Sequence, residues 1–327
     1  MVFLDDESIF EAAKPADLID AIRRAFRETE SLPARLHYDL PGEGQSKLLV
    51  MPAWMGRDSI GVKVATVMPS NARLGRPTIS GLYVLLDGIT GMPLAVLSAS
   101  ALTALRTAAV SGLAASYLAR HASKTLLMVG TGALAPYLIQ AHQAVRPIER
   151  VLIWGRDISK AEGIADRIRE MGHDAMAIGD LSDAVTKADV ISCATSSGEP
   201  IIEGALVRPG THVDLVGSFA PNMRETDSNL FARGRLTVDT FCSFIECGDL
   251  IEPCREGTID PNSTPTLHDL VLGGPTARRS EDEITIFKAV GTGLADIAAA
   301  KWLYDTNRAQ QSEPIPPGKA ILHQSRS

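Results

Sequence analysis

LLMVGTGALAP, residues 126–136, is the stretch that decides the fold of this chain. Four apolar residues run into glycines at positions 130 and 132, and a helical pattern follows. In the pattern GxGxxA the first glycine permits a tight turn, the second lets the backbone approach a pyrophosphate, and the small third residue lets the helix pack against its strand. The N-terminus of that helix favours the negative charge of the pyrophosphate. The turn therefore predicts a dinucleotide site at Gly130 and Gly132.

The flanking sequence favours this interpretation over an ordinary strand-to-helix turn. A second strand, RVLIW (150–154), arrives at the expected distance. From residue 125 onward, helical stretches alternate with almost continuously apolar strands such as TLLMVG, DVISCAT, THVDLVGS and RLTVDT. This alternation predicts a doubly wound parallel sheet, a Rossmann domain that holds a nicotinamide dinucleotide. We interpret DEITIFKAVGTGLADIAAAKWLYDTNR (282–308) as one long amphipathic helix.

The first third of the chain has a different texture. Residues 4–30 predict one or two helices, and residues 36–98 contain short apolar runs between prolines and glycines, which predict a mixed or antiparallel sheet. DGITG (87–91) predicts a hairpin turn in that sheet. Residues 99–120 are rich in small residues and predict a helix packed on both sides that connects two domains. A chain of 327 residues exceeds the usual size of one hydrophobic core, so we expect an α+β domain beside the Rossmann domain, an α/β protein overall.

Composition excludes several classes of function. With 32 basic and 39 acidic residues the net charge is -7, and the sequence has no basic face for a nucleic acid. The N-terminus is acidic where a signal peptide is basic, and the longest apolar stretches are too short and too rich in alanine and serine to span a bilayer, so we expect no membrane partner and a cytoplasmic location. Four cysteines without CxxC spacing and seven scattered histidines predict buried or half-buried thiols and no metal site.

The end of the second strand bears on the choice of cofactor. An acidic residue there usually binds the adenosine ribose of NAD, but this chain has Gly155 followed by Arg156 and Asp157. An arginine at this place pairs with a ribose phosphate. We therefore favour NADP(H), with Gly155 and Arg156 in the site. NAD(H) remains open, with Asp157 on the ribose and Arg156 on the surface.

Three cations outside the Rossmann domain stand in apolar company: Arg35, Lys63 and Arg106. Burying a cation is costly unless an anion compensates, so three convergent cations would suit a carboxylate substrate. Each also has an ordinary structural explanation. Arg35 would be a surface loop residue, Lys63 would extend to water from a strand edge, and Arg106 would pair with a carboxylate such as Asp87.

Several motifs in register resemble the ornithine cyclodeaminase and mu-crystallin family across nearly the whole chain. They are GVKVATVMPSN, RPTISGLYVLLDGITG, LTALRTAAVSGLA, GTGALA and DEITIFKAVG, in this order. The resemblance implies a homodimer whose subunits have a substrate-binding and dimerisation domain (1–118 with 302–327) and a Rossmann domain (119–301). It also implies that Arg35, Lys63 and Arg106 hold the substrate carboxylate and its amino or imino group, with Val290 near the substrate. The positions that it places along the cofactor, besides Arg106, are Thr78, Ala133, Leu134, Thr195, Val216, Gly217 and Ser218.

One departure from the family pattern points to a particular reaction. Ornithine cyclodeaminases and related alanine dehydrogenases carry an aspartate for proton transfer soon after the VG pair, where this chain has Phe219. Phenylalanine cannot move a proton, which weighs against cyclodeamination. Members with a similar turn resemble delta-1-pyrroline-2-carboxylate reductases, which form L-proline. The resemblance thus implies NAD(P)H-dependent reduction of a small cyclic imino acid, pyrroline- or piperideine-2-carboxylate, with Phe219 as an apolar wall of the substrate pocket.

In this mechanism Arg35 and Arg106 clamp the carboxylate. Lys63 lies near the imine nitrogen or the carboxylate, either as a proton donor, directly or through water, or only as a carboxylate ligand. Burial beside two arginines should lower the pKa of Lys63. The alternatives are ornithine cyclodeaminase, alanine dehydrogenase, a linear imine reductase, and a protein that binds NADPH without turnover. A dicarboxylate imine such as iminosuccinate would need a further cation, for which Arg73 and Arg76 are candidates, although both are expected in an exposed loop.

Overall fold

The first sheet forms from the proline- and glycine-punctuated third of the chain. In the computed structural model, which describes residues 1–28, 33, 35–41, 46–273 and 277–312, this sheet has the strand order β1-β6-β5-β4-β3-β2. Neighbouring strands are antiparallel, except that β1 runs parallel to β6. The sheet is thus mixed, as predicted. Its strands are β1 (Val2–Leu4), β2 (Leu36–Asp39), β3 (Lys47–Met55), β4 (Ser59–Val67), β5 (Ile79–Asp87) and β6 (Pro93–Ser98).

Alternation along β4 gives the sheet two different faces. Lys63 and Ala65 face the buried side, and Val64 between them is 40% exposed. Lys63 pairs across the strands with Tyr83 of β5, which is fully buried. The period of two therefore directs a lysine into the core side of the sheet. On the opposite face Leu36, Val64 and Leu82 lie in one register row and are all exposed.

The connection between β5 and β6 is the predicted hairpin. Asp87 accepts hydrogen bonds from the backbone of Ile89 (3.1 Å) and Thr90 (2.7 Å), and Gly91 closes the turn with its N–H on the Asp87 carbonyl (2.9 Å). An aspartate at this position is typical of such turns, because its side chain satisfies the backbone that the strands leave unpaired. Asp87 is therefore occupied within its own turn.

Helices cover the inner face of this sheet and both faces of the second one. Helix α3 is buried at nearly every position, and its Gly112 lies so close to α2 and α4 that a side chain there would come within 2.8 Å of Ile19 and 3.0 Å of the Ala141 carbonyl. This confirms the prediction of a small-residue helix packed on both sides. The helices are α1 (Asp6–Glu11), α2 (Pro15–Glu28), α3 (Ala99–Leu118), α4 (Ala135–Val145), α5 (Ile158–Glu170), α6 (Leu181–Val185), α7 (Ser228–Arg233), α8 (Ser243–Glu246), α9 (Gly248–Arg255), α10 (Leu267–Val271) and α11 (Gly293–Ser312).

The second sheet is parallel throughout and confirms the doubly wound prediction. Its order is β12-β13-β11-β10-β7-β8-β9, so the chain starts in the interior, moves outward to β9, and returns to β10 on the other side of β7. The gap between the carboxyl ends of β7 and β10 is the switch point where such sheets bind ligands. Its strands are β7 (Thr125–Val129), β8 (Arg150–Trp154), β9 (Asp174–Ala177), β10 (Val190–Cys193), β11 (His212–Leu215), β12 (Gly234–Val238) and β13 (Ile284–Lys288).

The single helix predicted over residues 282–308 is wrong in its first part. Ile284–Lys288 forms strand β13, buried at every residue and inserted between β11 and β12. The segment ITIFK is β-branched and aromatic, which suits a buried strand. Helix α11 starts only at Gly293, and it packs against α2, α3 and β3 of the first sheet. The domain boundaries at residues 118/119 and 301/302 stay predictions, and residues 313–327 lie outside the described residues.

In the part of the chain that the structure describes, the helices are all too short or too polar to cross a membrane. The four cysteines are unpaired: Cys193 and Cys247 are buried, and Cys242 and Cys254 are partly exposed, as predicted. The described residues include no group of three histidine, cysteine or acidic side chains placed to hold a metal ion.

Candidate active site

The glycine turn lies at the switch point of the parallel sheet. Gly130 follows β7 with a φ of +115°, a region that L side chains rarely adopt, and a Cβ there would lie 2.4 Å from the Ala194 carbonyl oxygen. The turn therefore requires glycine in order to bring β7 and the end of β10 together. Gly132 is exposed, and a Cβ on it would meet no atom within 4 Å. This open backbone is the place where a pyrophosphate would lie.

Helix α4 begins at this turn without a side-chain cap. Its N-cap residue is Leu134, which offers no hydrogen-bonding side chain, and Pro136 stands in the first turn. The N–H groups of Ala135 and Tyr137 already donate to the Gly132 and Leu134 carbonyls, each at 3.1 Å, and Pro136 has no N–H. The helix dipole and the turn before the helix would therefore attract an anion here. The open Gly132 fits a dinucleotide, and the places of Ala133 and Leu134 beside it stay predictions.

One buried carboxylate ties together two further strand ends at the same edge. Glu225 Oε1 accepts hydrogen bonds from the N–H (2.7 Å) and hydroxyl (3.0 Å) of Thr195, which follows β10. Its Oε2 accepts the N–H groups of Gly217 (2.7 Å) and Ser218 (3.3 Å), which follow β11. All three partners were predicted to line the cofactor. Glu225 thus fixes the two loops relative to each other.

Asp249 and Lys288 form a buried ion pair next to Glu225. Asp249 Oδ1 accepts the Glu225 N–H (2.7 Å), and its Oδ2 lies 3.1 Å from Lys288 Nζ on β13. The side chains of Asp249 and Lys288 are fully buried, and Glu225 is buried as well. Burial raises the pKa of Glu225 to about 7, with Lys288 opposing the rise and Asp249 adding to it. The loops of the site therefore depend on a buried polar network.

Arg156 and Asp157, which follow β8, have different surroundings. Arg156 is exposed, whereas Asp157 caps α5 by accepting the hydroxyl (2.6 Å) and N–H (3.0 Å) of Ser159. These hydrogen bonds hold the pKa of Asp157 below its ordinary value. Gly155 packs on Thr131, and a Cβ at Gly155 would lie 2.6 Å from the Thr131 methyl carbon. Arg156 is thus the exposed cation at the end of β8, and its place beside a cofactor ribose stays a prediction.

Two of the three predicted cations meet at one acid. Lys63 Nζ lies 2.8 Å from Asp296 Oδ2, and Arg106 Nε donates to Asp296 Oδ1 at 2.8 Å. The three side chains are at most 8% exposed. Asp296 therefore supplies the anion that these buried cations require. Arg106 does not pair with Asp87, the alternative weighed from the sequence, because Asp87 is held in its hairpin turn.

Arg35 reaches the same place from the loop before β2. Its Nη2 donates to the Gly291 carbonyl at 2.6 Å and lies 3.3 Å from Glu246 Oε2. Gly291, at a φ of +92°, lies against Arg106, since a Cβ there would stand 2.5 Å from Arg106 Nη1. Arg35 and Arg106 thus contact the same backbone turn.

Another buried acid holds that turn. Asp239, at the end of β12, accepts the N–H groups of Val290 (3.0 Å) and Gly291 (2.6 Å) at its Oδ2. Burial raises the pKa of Asp239, while the Gly291 amide, the Ser243 hydroxyl and Arg35 oppose the rise. Val290, predicted to lie near the substrate, therefore follows β13 at the same sheet edge as the glycine turn.

The pKa of Lys63 is lowered to about 8, as the sequence predicted in direction. Burial is the largest cause, Asp296 opposes it, and Arg106 and Arg35 lower the pKa further. Besides Asp296, the Thr103 hydroxyl accepts a hydrogen bond from Nζ at 3.2 Å. A lysine of this kind is protonated at neutral pH yet close to releasing its proton.

The remaining predicted positions lie on the surface around this site. Phe219 follows the Val216–Ser218 turn and is 46% exposed. Thr78 is exposed where β5 begins, and Arg73 and Arg76 belong to the exposed segment before it, as expected for loop residues. The structure gives Phe219 and Thr78 no contact that assigns them a role, so their places in the site stay predictions.

Sequence reasoning missed four acids of the site: Asp239, Glu225, Glu246 and Asp296. The signal for Asp296 was present, because it is the one acid in GLADIAAA (293–300), an apolar stretch. A buried cation demands a buried anion, so an isolated acid in such a stretch is a natural partner. The other three lie in segments whose place relative to the sheet edge was not predicted.

Comparison with known proteins gives consistent results. Residues 1–311 match the family described as the ornithine cyclodeaminase/mu-crystallin family. A delta(1)-pyrroline-2-carboxylate reductase of Paracoccus denitrificans is 39% identical over 288 residues, which cover 87% of this chain and 91% of that protein. The structure of the Thermococcus litoralis delta(1)-pyrroline-2-carboxylate reductase with NADH and L-proline superposes with a TM-score of 0.89 at 30% identity, covering 95% and 98% of the two chains. An archaeal alanine dehydrogenase dimer with bound NAD gives a TM-score of 0.87 at 27% identity, covering 96% and 98%.

Proposed function

The chain belongs to the ornithine cyclodeaminase/mu-crystallin family, and from this membership and the cations of its site we propose that it is a ketimine reductase. The substrate is a small cyclic imino acid, delta-1-pyrroline-2-carboxylate, with delta-1-piperideine-2-carboxylate as the larger analogue. The reaction adds a hydride to the C=N carbon and a proton to the nitrogen, and forms L-proline or L-pipecolate. The observation that carries the proposal is the convergence of Arg35, Lys63 and Arg106 beside the cofactor edge of the sheet.

The carboxylate of the substrate fits the two arginines. Arg35 and Arg106 approach the Gly291 turn from different elements, which would let them bind one carboxylate from two directions. A guanidinium binds a carboxylate through two parallel hydrogen bonds and so fixes its orientation. Orientation matters here because the C=N carbon must face the hydride donor.

Lys63 supplies the proton. Its pKa of about 8 keeps it charged at neutral pH and makes it a better acid than an ordinary lysine. Protonation of the imine nitrogen by Lys63 turns the C=N carbon into a stronger hydride acceptor, and the nitrogen keeps the proton in the product amine.

The arrangement of the arginines favours a monocarboxylate. Asp296 pairs with Lys63 and Arg106, and Glu246 and Asp239 lie near Arg35, so the cations already have acids beside them. The two guanidinium groups at the Gly291 turn would bind a single substrate carboxylate. A dicarboxylate such as iminosuccinate would need a further cation, and Arg73 and Arg76 lie in an exposed segment.

A reduced nicotinamide dinucleotide supplies the hydride when it is bound. Gly130, Gly132 and the N-terminus of α4 would hold its pyrophosphate, and the loops fixed by Glu225 would line its nicotinamide side. We favour NADPH over NADH, because Arg156 is exposed at the ribose position while Asp157 caps α5. The two solved structures named above contain NADH and NAD, so the phosphate preference is a proposal about this chain.

We also propose a homodimer that forms through the outer face of the first sheet. That face carries exposed apolar residues on four neighbouring strands, among them Leu36, Trp54, Val64 and Leu82. Contiguous apolar surface of this kind marks an interface. The alanine dehydrogenase of the same fold is a dimer.

The deciding experiment is an assay of the purified protein with NADPH and, separately, NADH. Loss of absorbance on adding pyrroline-2-carboxylate or piperideine-2-carboxylate, with proline or pipecolate as product, is the expected result. L-ornithine should yield neither proline nor ammonia, because Phe219 stands where cyclodeaminases have their aspartate. Ammonia from ornithine without net cofactor consumption would overturn the proposal in favour of cyclodeamination. Tight NADPH binding without oxidation by any imino or keto acid would favour a binding protein.

A further inference from the structure

We propose that Asp296 is a positioning residue of this site, which aims Arg106 and keeps Lys63 charged, so that it sets the pH range in which the site works. The inference deepens the proposed function and rests on it. It assigns a role to a residue of α11, an element that lies outside the glycine turn and outside the loops of the cofactor edge.

The geometry gives each oxygen of Asp296 its own cation. Oδ1 accepts the Nε–H of Arg106 and Oδ2 faces the ammonium group of Lys63, each at 2.8 Å. The carboxylate occupies the Nε side of the Arg106 guanidinium, so the Nη end is directed to the Gly291 turn. A Cβ added to Gly291 would lie 2.5 Å from Arg106 Nη1. This is also the turn whose carbonyl binds Arg35. Asp296 therefore decides which edge of Arg106 is presented to a substrate.

The electrostatics give Asp296 an effect on Lys63 that its neighbours cannot replace. The charged groups that act on Lys63 are Asp296 from α11, Arg106 from α3 and Arg35 from the loop before β2. Tyr83, its cross-strand neighbour, has a pKa well above its ordinary value because of burial and Asp296, so it stays neutral. Asp296 is thus the only anion among these groups. Without it, burial and two arginines all act to remove the proton from Lys63.

Asp296 itself stays ionised in this position. Burial alone would raise its pKa, but Lys63 and Arg106 outweigh burial and hold the pKa below its ordinary value. It also lies in the first turn of α11, where the helix dipole stabilises a negative charge. A purely structural role in the helix is therefore the competing explanation, and the test must separate the two.

The test compares Asp296→Asn with the wild type in the pH profile of kcat/KM for pyrroline-2-carboxylate at saturating cofactor. Asparagine keeps the size of the side chain and removes its charge. The pH at which kcat/KM falls should therefore be lower in the variant by about one unit or more. At pH 8 we expect a loss of about fivefold or more, which becomes smaller as the pH falls. An equal loss at every pH would show that Asp296 does not keep Lys63 charged and would overturn the proposal. Asp305→Asn is the matched control, since Asp305 lies on the same helix in an exposed pair with Lys301 and should leave the profile unchanged.

A double variant covers the case in which Asp296→Asn does not fold. Lys63→Met with Asp296→Asn removes one charge of each sign from the triad, so it should fold and bind the cofactor with a Kd within about twofold of the wild type. If Asp296 acts through Lys63, the double variant should be no more than about threefold less active than Lys63→Met alone. If the losses of the two single variants instead multiply, Asp296 acts through Arg106 alone, and its role in keeping Lys63 charged is overturned.

A readout that needs no turnover separates this proposal from the proposed function. The protein is labelled with ¹³Cε-lysine, and the Lys63 signal is identified by its absence in Lys63→Met. The proposal expects the titration midpoint of Lys63 to be lower in Asp296→Asn than in the wild type. An unchanged midpoint overturns the role of Asp296 even if imines are reduced. A lowered midpoint in a protein that reduces no imine would instead sustain the charge role and reject the function.

Discussion

Lys63 Nζ and Asp296 Oδ2 are 2.8 Å apart, although β4 and α11 lie near opposite ends of the chain. The two side chains are 6% and 1% exposed, so water screens this pair little. In such a pair the cation stays charged because the anion stabilises it, and the anion stays charged because the cation stabilises it. Lys63 is therefore the side chain whose removal changes the chemistry of the site most directly.

Lys63→Met should lower kcat/KM for the imine by about 100-fold or more, because the proton donor is lost while the apolar stem is retained. The Kd for NADPH, measured by fluorescence titration, should change by less than about twofold, since Lys63 belongs to β4 of the first sheet and the glycine turn follows β7 of the second. Lys187→Met, which removes an exposed lysine paired with Asp183, is the control for loss of charge alone. Wild-type turnover in Lys63→Met would remove this lysine from the mechanism.

The rate should depend on pH through the same group. Because the protonated form of Lys63 is the active one and its pKa is about 8, kcat/KM should be constant at lower pH and fall as the pH rises through about 8. In Lys63→Arg the guanidinium keeps its proton, so this fall should be absent even if the rate is lower. A wild-type profile that stays level well above pH 8 would contradict the assignment.

Glu225→Gln should weaken cofactor binding by about tenfold, equivalent to about 1.4 kcal/mol. Glutamine offers one acceptor oxygen where Glu225 uses two, so either the Thr195 loop or the turn at Gly217 and Ser218 loses its partner. Calorimetric titration with NADH and NADPH measures the effect. Glu203→Gln, on an exposed residue of the same domain, should bind both cofactors as the wild type does. If Glu225→Gln binds both cofactors with wild-type affinity, the two loops keep their positions without Glu225.

Arg156→Ala should raise the KM for NADPH by about tenfold and leave the KM for NADH within about twofold, because only NADPH carries the ribose phosphate. Steady-state kinetics with each cofactor give the comparison. Arg150→Ala at the other end of β8, where Arg150 is exposed beside Asp174, is the matched control. A higher kcat/KM of the wild type for NADH than for NADPH would end the proposed preference.

Val64→Lys should convert a dimer into a monomer in sedimentation experiments. Val64 is 40% exposed in the middle of the apolar outer face, and a lysine there would place a charge in the proposed interface. Ile158→Lys, on the exposed side of α5, should remain dimeric. If the wild type already sediments as a single chain, the apolar face has another explanation.

The sequence was sufficient for the parts of the site that depend on local chemistry. Gly130 was predictable because only glycine permits its backbone conformation and its approach to Ala194. Lys63 and Arg106 were predictable because charged residues in apolar segments need a reason. Both kinds of inference use a residue and its immediate neighbours.

Other parts depend on which distant segments meet, and there the sequence was insufficient. Asp296 stands out as an isolated acid in an apolar stretch, but its partners are on β4 and α3, far away in the sequence. The residues of strand β13 were predicted as part of the helix that follows it, because packing decides the place of this strand between β11 and β12. The hairpin turn at Asp87 was predicted, but the hydrogen bonds of the Asp87 side chain within that turn were not, so Asp87 stayed an alternative partner for Arg106.

The position of α11 also has a consequence for how the protein is made on the ribosome. Lys63 and Arg106 are synthesised long before Asp296, and β11 and β12 long before β13, which lies between them. A nascent chain that has not reached residue 284 has neither the counter-ion for its two buried cations nor the strand that joins two edges of its sheet. Translation must therefore pass Asp296 before the site can assemble, so products truncated before this residue should be inactive and readily degraded.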